Sequence, residues 1–111
     1  MIEIQVSEQD NVSLLEVSGR VDSMNAHELG QALMGAINGG KMRLVLDLSS
    51  VDYMSSAGLR EIVSALKKLR HGAGDLRIAQ PSHRVLEVLE MAGLDSIFQI
   101  YPSRIEALAS F

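Results

Sequence analysis

Apolar and polar residues change rhythm repeatedly along this chain. Ile2, Ile4 and Val6 alternate with polar neighbours, the turn-forming run EQDN follows, and Val12 to Ser18 is again rich in Val and Leu. A period of two on either side of a polar turn predicts a β-hairpin. Gly19 is expected to end the second strand, and the loop RVDSM to lead into a helix. In that helix Leu29, Ala32, Leu33, Ala36 and Ile37 fall on one face. Asn25 and Glu28 have the spacing of a capping box, and Gly39-Gly40 reads as a helix stop.

Arg43 to Leu48, RLVLDL, is nearly continuous in apolar β-formers, the pattern of a strand covered on both faces. Ser49 to Ser56 is expected to be a loop that delivers the second helix. Its core stripe is Leu59, Ile62, Val63, Leu66 and Leu69, and Lys67, Lys68, Arg70 and His71 crowd its end, where cations suit the helix dipole. Gly72 to Gly74 breaks it. DLRIAQ reads as a third central strand. Pro81-Ser82 then opens a helix with Val85, Leu86, Val88 and Leu89 inward and Gly93 closing it. A short strand over Phe98 to Tyr101 comes next, and Pro102 with the capping box Ser103-x-x-Glu106 starts a terminal helix through Ile105 and Leu108.

The order ββαβαβαβα predicts one α/β domain over residues 1–111: a mostly parallel sheet with an N-terminal antiparallel hairpin and about four helices. Parallel strands place their C-terminal ends on one edge, where α/β proteins tend to carry their sites. The Gly19 to Asn25 loop should therefore lie beside the Ser49 to Ser56 loop, bringing Asp22 and Ser23 near Ser55 and Ser56.

Composition narrows the function classes. A length of 111 residues with 47% apolar and 22% charged residues is that of an ordinary globular domain. The net charge of −4, without a dense Lys/Arg run, argues against nucleic acid as a partner. No apolar stretch approaches the roughly 20 residues of a membrane span, so no membrane partner is expected. The opening MIEIQVSEQD is acidic and alternating, unlike a signal peptide. No cysteine is present, which removes disulfides, thiolate metal sites and a cysteine nucleophile. The expected location is the cytoplasm.

The chemistry that stands out is Ser55-Ser56 at the start of the second helix. A serine there can be a cap, a nucleophile or a phosphate acceptor. MSSAGL lacks the glycine two residues before the serine of a G-x-S-x-G elbow, and His27, His71 and His83 show no base–nucleophile pairing. HELG at His27 lacks the second histidine of a zinc helix, and neither GGK at Gly39 nor GAGD at Gly72 completes a phosphate loop. No enzyme and no cofactor are expected. A phosphate is different: a helix start presents unpaired N–H groups, and a phosphoserine brings about −1.5 to −2 charges.

The segment LVLDLSSVDYMSSAGLREIVSALKKL resembles the central motif of the STAS domain of bacterial anti-sigma factor antagonists. LLEVSGRVDSMNAHEL resembles that family's second strand and Gly-x-apolar-Asp turn, and LRIAQPSHRVLEVLEMAGLDSIFQIYPSRIEAL its C-terminal half. The resemblance covers essentially the whole chain. It implies a partner switch, in which the unphosphorylated antagonist binds an anti-sigma factor that is also a serine kinase of the histidine-kinase ATPase-like type. Phosphorylation releases it, and a PP2C-type serine phosphatase restores it. The acceptor implied is Ser56, two residues before the motif Gly58. Many members have Asp where this chain has Ser55, and Ser or Thr where it has Ala57, which makes Ser55 the second candidate acceptor. Asp22 matches the family's acidic turn residue. The expected partner-binding surface is Asp22, Ser23 and Asn25 of the adjacent loop, Met54, Ser55, Ala57 and Gly58 at the helix start, and Arg60 and Glu61 on the helix rim. Packing against the sheet is the alternative for Met54. The rival expectation is a STAS scaffold or transport-accessory subunit whose serine is never phosphorylated. A hydrophobic ligand-binding role is a third.

Overall fold

A computed structural model describes residues 2–111. β1 (Ile2–Gln9) and β2 (Val12–Val21) form the antiparallel hairpin, joined at Asp10-Asn11. Both turn residues have positive φ, 51° and 67°, as a two-residue turn matching the strand twist requires. After α1 (Ala26–Asn38), β3 (Arg43–Met54) pairs in parallel with β2. α2 (Ser56–His71), β4 (Asp75–Ala79), α3 (His83–Met91), a 3₁₀ turn over Leu94–Ser96, β5 (Gln99–Tyr101) and α4 (Arg104–Ala109) complete the chain. The sheet order is β1-β2-β3-β4-β5, antiparallel only at the hairpin.

This order decides the layers. Each parallel crossover steps to the next strand in the same direction, and right-handed crossovers that all step one way put their helices on one face. α1, α2 and α3 accordingly cover a single face, where Leu29, Leu33, Ile62, Leu66, Val85 and Leu89 pack with Leu15, Leu44, Leu46, Leu48 and Ile78. The opposite face would be bare without α4. Its Ala107 and Leu108 close a smaller cluster with Val12, Leu14, Val45 and Ala79. RLVLDL is thus covered on both faces, as its continuous apolar pattern requires.

Two expectations about strand ends are corrected. Gly19 does not end β2; with φ 104° it sits inside the strand, where β2 and β3 lose register, and pairing continues to Val21↔Met54. Nor is Ser49 to Ser56 a loop, because β3 runs through it to Met54. Between Glu16↔Asp47 and Arg20↔Tyr53, β2 advances four residues and β3 six, so β3 takes up two extra residues at bulges. Leu48, Val51 and Met54 consequently all face inward, buried to 0, 1 and 2% exposure, at a spacing of three that no regular strand produces.

Candidate functional site

The C-terminal ends of β2 and β3 are tied directly to the start of α2. The Ser55 backbone N–H donates to the Val21 carbonyl at 2.9 Å, so the β2–α1 loop and the α2 N-terminus share one edge of the sheet. Ser55 is the N-cap. Its backbone is extended (φ −77°, ψ 165°) and its Oγ accepts the Gly58 N–H at 3.2 Å. Ser56 is the first helical residue and is exposed, with no hydrogen bond from its hydroxyl among the described residues. The adjacent serines therefore differ in local role: one closes the helix end and the other presents a free hydroxyl.

Gly58 explains how α2 reaches this position. A Cβ on Gly58 would lie 2.5 Å from the Met54 sulfur and 2.8 Å from Val21 Cγ1. The missing side chain lets the first turn of α2 rest on the last inward residues of both strands. Met54 and Gly58 are buried and support the site from below, whereas Ala57 is half-buried and Arg60 exposed. Glu61 points the other way, towards α1, with its carboxylate where a Cβ of Gly30 would sit, 1.7 Å from Oε2.

The β2–α1 loop is rigid for a reason the capping-box spacing does not predict. Asn25 makes no side-chain cap to α1. Its Oδ1 accepts the Asp22 N–H at 2.9 Å and its Nδ2 donates to the Arg20 carbonyl at 2.9 Å. Asp22 Oδ1 in turn accepts the Met24 and Asn25 N–H groups at 2.9 and 3.0 Å. Asp22, not Asn25, is the side chain that satisfies the turn, and the two residues lock each other. Ser23 and Met24 stand exposed between them, Met24 at 81%. Arg20 lies over the Tyr53 ring at 4.0 Å, bracing the outer side of the same strand ends.

The surface is open. Among the described residues the strand order never reverses between parallel strands, so the sheet offers no topological switch point there. A shallow groove runs instead from Ser56 and Arg60 along Leu59 and Val63 to Leu94. No three His, Cys, Asp or Glu side chains converge into a metal-sized cluster among the described residues, and no helix there is long and apolar enough to cross a membrane. An exposed hydroxyl beside a rigid loop and an apolar-floored groove suits docking by another protein.

Residues 3–107 match the STAS domain family. The chain belongs to that family. A Bordetella bronchiseptica relative named as an anti-sigma factor antagonist, BtrV, is 39% identical over 102 residues, spanning 92% of this chain and 88% of its own. The anti-sigma-B factor antagonist of Listeria monocytogenes is 32% identical over 89% of this chain and 86% of its own. The crystal structure of an anti-sigma factor antagonist from Mycobacterium paratuberculosis superposes with a TM-score of 0.91 at 30% identity, covering 99% of this chain and 93% of that one.

Within this STAS fold Asp22, Ser23, Asn25, Ser55 and Ser56, all candidates by sequence, lie at one edge of the sheet. Met24 and Leu94 also belong to this surface but carry no motif in the sequence. An isolated methionine between two polar residues belongs to no apolar period, and that irregularity was the available signal for Met24. Leu94 joins the groove only because the 3₁₀ turn folds back beside α2.

Proposed function

We propose that this protein is an anti-sigma factor antagonist working by partner switching, with Ser56 as its phosphoacceptor. The unphosphorylated chain binds and sequesters an anti-sigma factor that is a serine kinase of the histidine-kinase ATPase-like type. The observation that carries the reading is the division between the two serines: Ser55 Oγ is engaged by the Gly58 amide, and Ser56 Oγ is exposed at the first residue of α2. The names of the relatives support the regulatory role.

In the transfer step the Ser56 oxygen attacks the γ-phosphorus of ATP. The bond to the ADP oxygen breaks, and the serine proton passes to a base on the kinase. The kinase supplies ATP, Mg²⁺ and that base; this chain supplies a positioned hydroxyl. The new phosphate places about −1.5 to −2 charges on the docking face, and juxtaposed like charge costs several kcal/mol, enough to release the partner. A PP2C-type phosphatase restores the binding form. Asp22, Ser23 and Arg60 frame the acceptor as partner contacts.

Intact-mass and peptide mass spectrometry of the protein from its own host, with Ser56→Ala as control, tests this. A phosphate on Ser56 that is lost in the variant supports the switch, and a phosphate on Ser55 moves the site by one residue. No phosphate under any growth condition, with the protein in a stable complex, overturns the switch in favour of a scaffold or transport-accessory role.

A further inference from the structure

Arg60 stands one helical turn after Ser56 on the same exposed side of α2, and both residues line the groove that continues to Val63 and Leu94. At this i, i+4 spacing the Cβ atoms are about 5–6 Å apart, within the span of an arginine side chain. Arg60, like Lys67 in the same groove, has no carboxylate partner among the described residues, whereas Lys41, Arg70, Arg77 and Arg104 are paired. The helix that carries it is fixed at this end by the Ser55 cap and by the close seat of Gly58 on Met54 and Val21.

We propose that Arg60 is the intramolecular receiver of a phosphate on Ser56. This rests on the phosphoacceptor reading above and extends it to how the modified face is built. The guanidinium offers a planar pair of N–H donors to two phosphate oxygens, a charge-assisted contact that a point cation reproduces only in part. Phosphorylation then changes the docking face twice. It adds anionic charge at Ser56, and it withdraws the free cation of Arg60 from any partner carboxylate that pairs with it in the unmodified state. Charged groups on the adjoining elements include Asp22 in the loop after Val21, Glu61 turned towards α1, Lys67 in the groove lining, and Asp95 beside Leu94 in the 3₁₀ turn.

The test needs no kinase. Phosphoserine is installed at position 56 of the full chain during translation, and the second phosphate ionisation is followed by ³¹P NMR in the parent, Arg60→Gln, Arg60→Lys and Lys67→Gln backgrounds. The parent should titrate about 0.2–0.4 unit below Arg60→Gln, with Arg60→Lys between them and Lys67→Gln like the parent. The difference should shrink at about 1 M salt, where the Debye length falls to roughly 3 Å. Equal values in the parent and Arg60→Gln overturn the proposal, as does an equal displacement by Lys67→Gln, which would mean a diffuse field. Because the phosphate is installed, absence of phosphorylation in the host would remove the switch reading without deciding this measurement.

Discussion

The Ser55 hydroxyl accepts the Gly58 amide at 3.2 Å, so the serine with the clearest structural task is the one beside the candidate acceptor. Two chemically identical neighbours are thereby separable by stability. Ser55→Ala removes an N-cap and should cost about 1 kcal/mol. Ser56→Ala removes an exposed hydroxyl and should stay within about 0.5 kcal/mol. Urea unfolding of both variants checks this, and equal losses would mean that both serines hold the helix end.

Charge at position 56 should act on the helix itself. Ser56→Asp places a carboxylate in the first turn of α2, which contains no acidic residue, and should stabilise by about 0.3–1 kcal/mol at low salt. Ser56→Lys should reverse the sign. Thermal unfolding at low and high ionic strength reads both, and a folding defect in Ser56→Asp would show that the position tolerates no charge.

Two glycines that both sit at helix contacts should respond oppositely to alanine. At Gly58 the new Cβ meets Met54 and Val21 side chains inside the core, at 2.5 and 2.8 Å, and overpacking of this kind costs about 1–3 kcal/mol. At Gly30 the nearest atoms it meets are Oε2, Cδ and Cγ of Glu61, the far end of a flexible side chain. That carboxylate can turn into water, and the alanine gains up to about 1 kcal/mol of helix propensity, so Gly30→Ala should be neutral or stabilising. Loss of stability in Gly30→Ala would show that Glu61 is held in place.

The terminal helix is pinned through a buried carboxylate. Asp47, 2% exposed, accepts Arg104 at 2.7 Å, the Ser49 N–H at 3.0 Å and Gln80 at 3.1 Å, and Arg104 also reaches Glu16 at 3.2 Å. Burial by itself would raise the Asp47 carboxyl. The hydrogen bonds from the Ser49 amide and the Arg104 guanidinium outweigh it and hold the group below its ordinary value. A depressed folded value means that Asp47 contributes stability above its unfolded value of about 3.9, and that this is lost as pH falls through the folded value. Asp47→Ala should cost about 2 kcal/mol at neutral pH and flatten the acid limb of the stability profile below about pH 4. An unchanged acid limb would place the acid sensitivity elsewhere.

Much of this architecture is written in local patterns. The hairpin is set by alternation around Asp10-Asn11, and the helix starts at Ser82 and Ser103 by hydroxyls that accept the Val85 and Glu106 amides. RLVLDL announces a two-sided strand. The extension of β3 to Met54 is not legible, because bulges destroy the alternation that marks a strand, and Leu48, Val51 and Met54 look like loop spacing. At Asn25 the capping-box spacing misleads: Asp22 takes the loop amides first, and the Asn25 side chain turns back to Asp22 and Arg20.

The sequence by itself determined the order of elements, the parallel crossovers and the family, because periodicity, capping residues and the SSAGL segment are local or short-range signals. The cap that separates the two serines is local, from the Gly58 amide to Ser55 Oγ three residues back. Tertiary structure alone decided where that helix end sits, on Val21 and Met54, which depends on the missing Cβ at Gly58 and on pairing between residues more than thirty positions apart. It also decided that α1, α2 and α3 share one face while α4 closes the other through Arg104 and Asp47. A strand order that advances in one direction leaves right-handed crossovers no other arrangement.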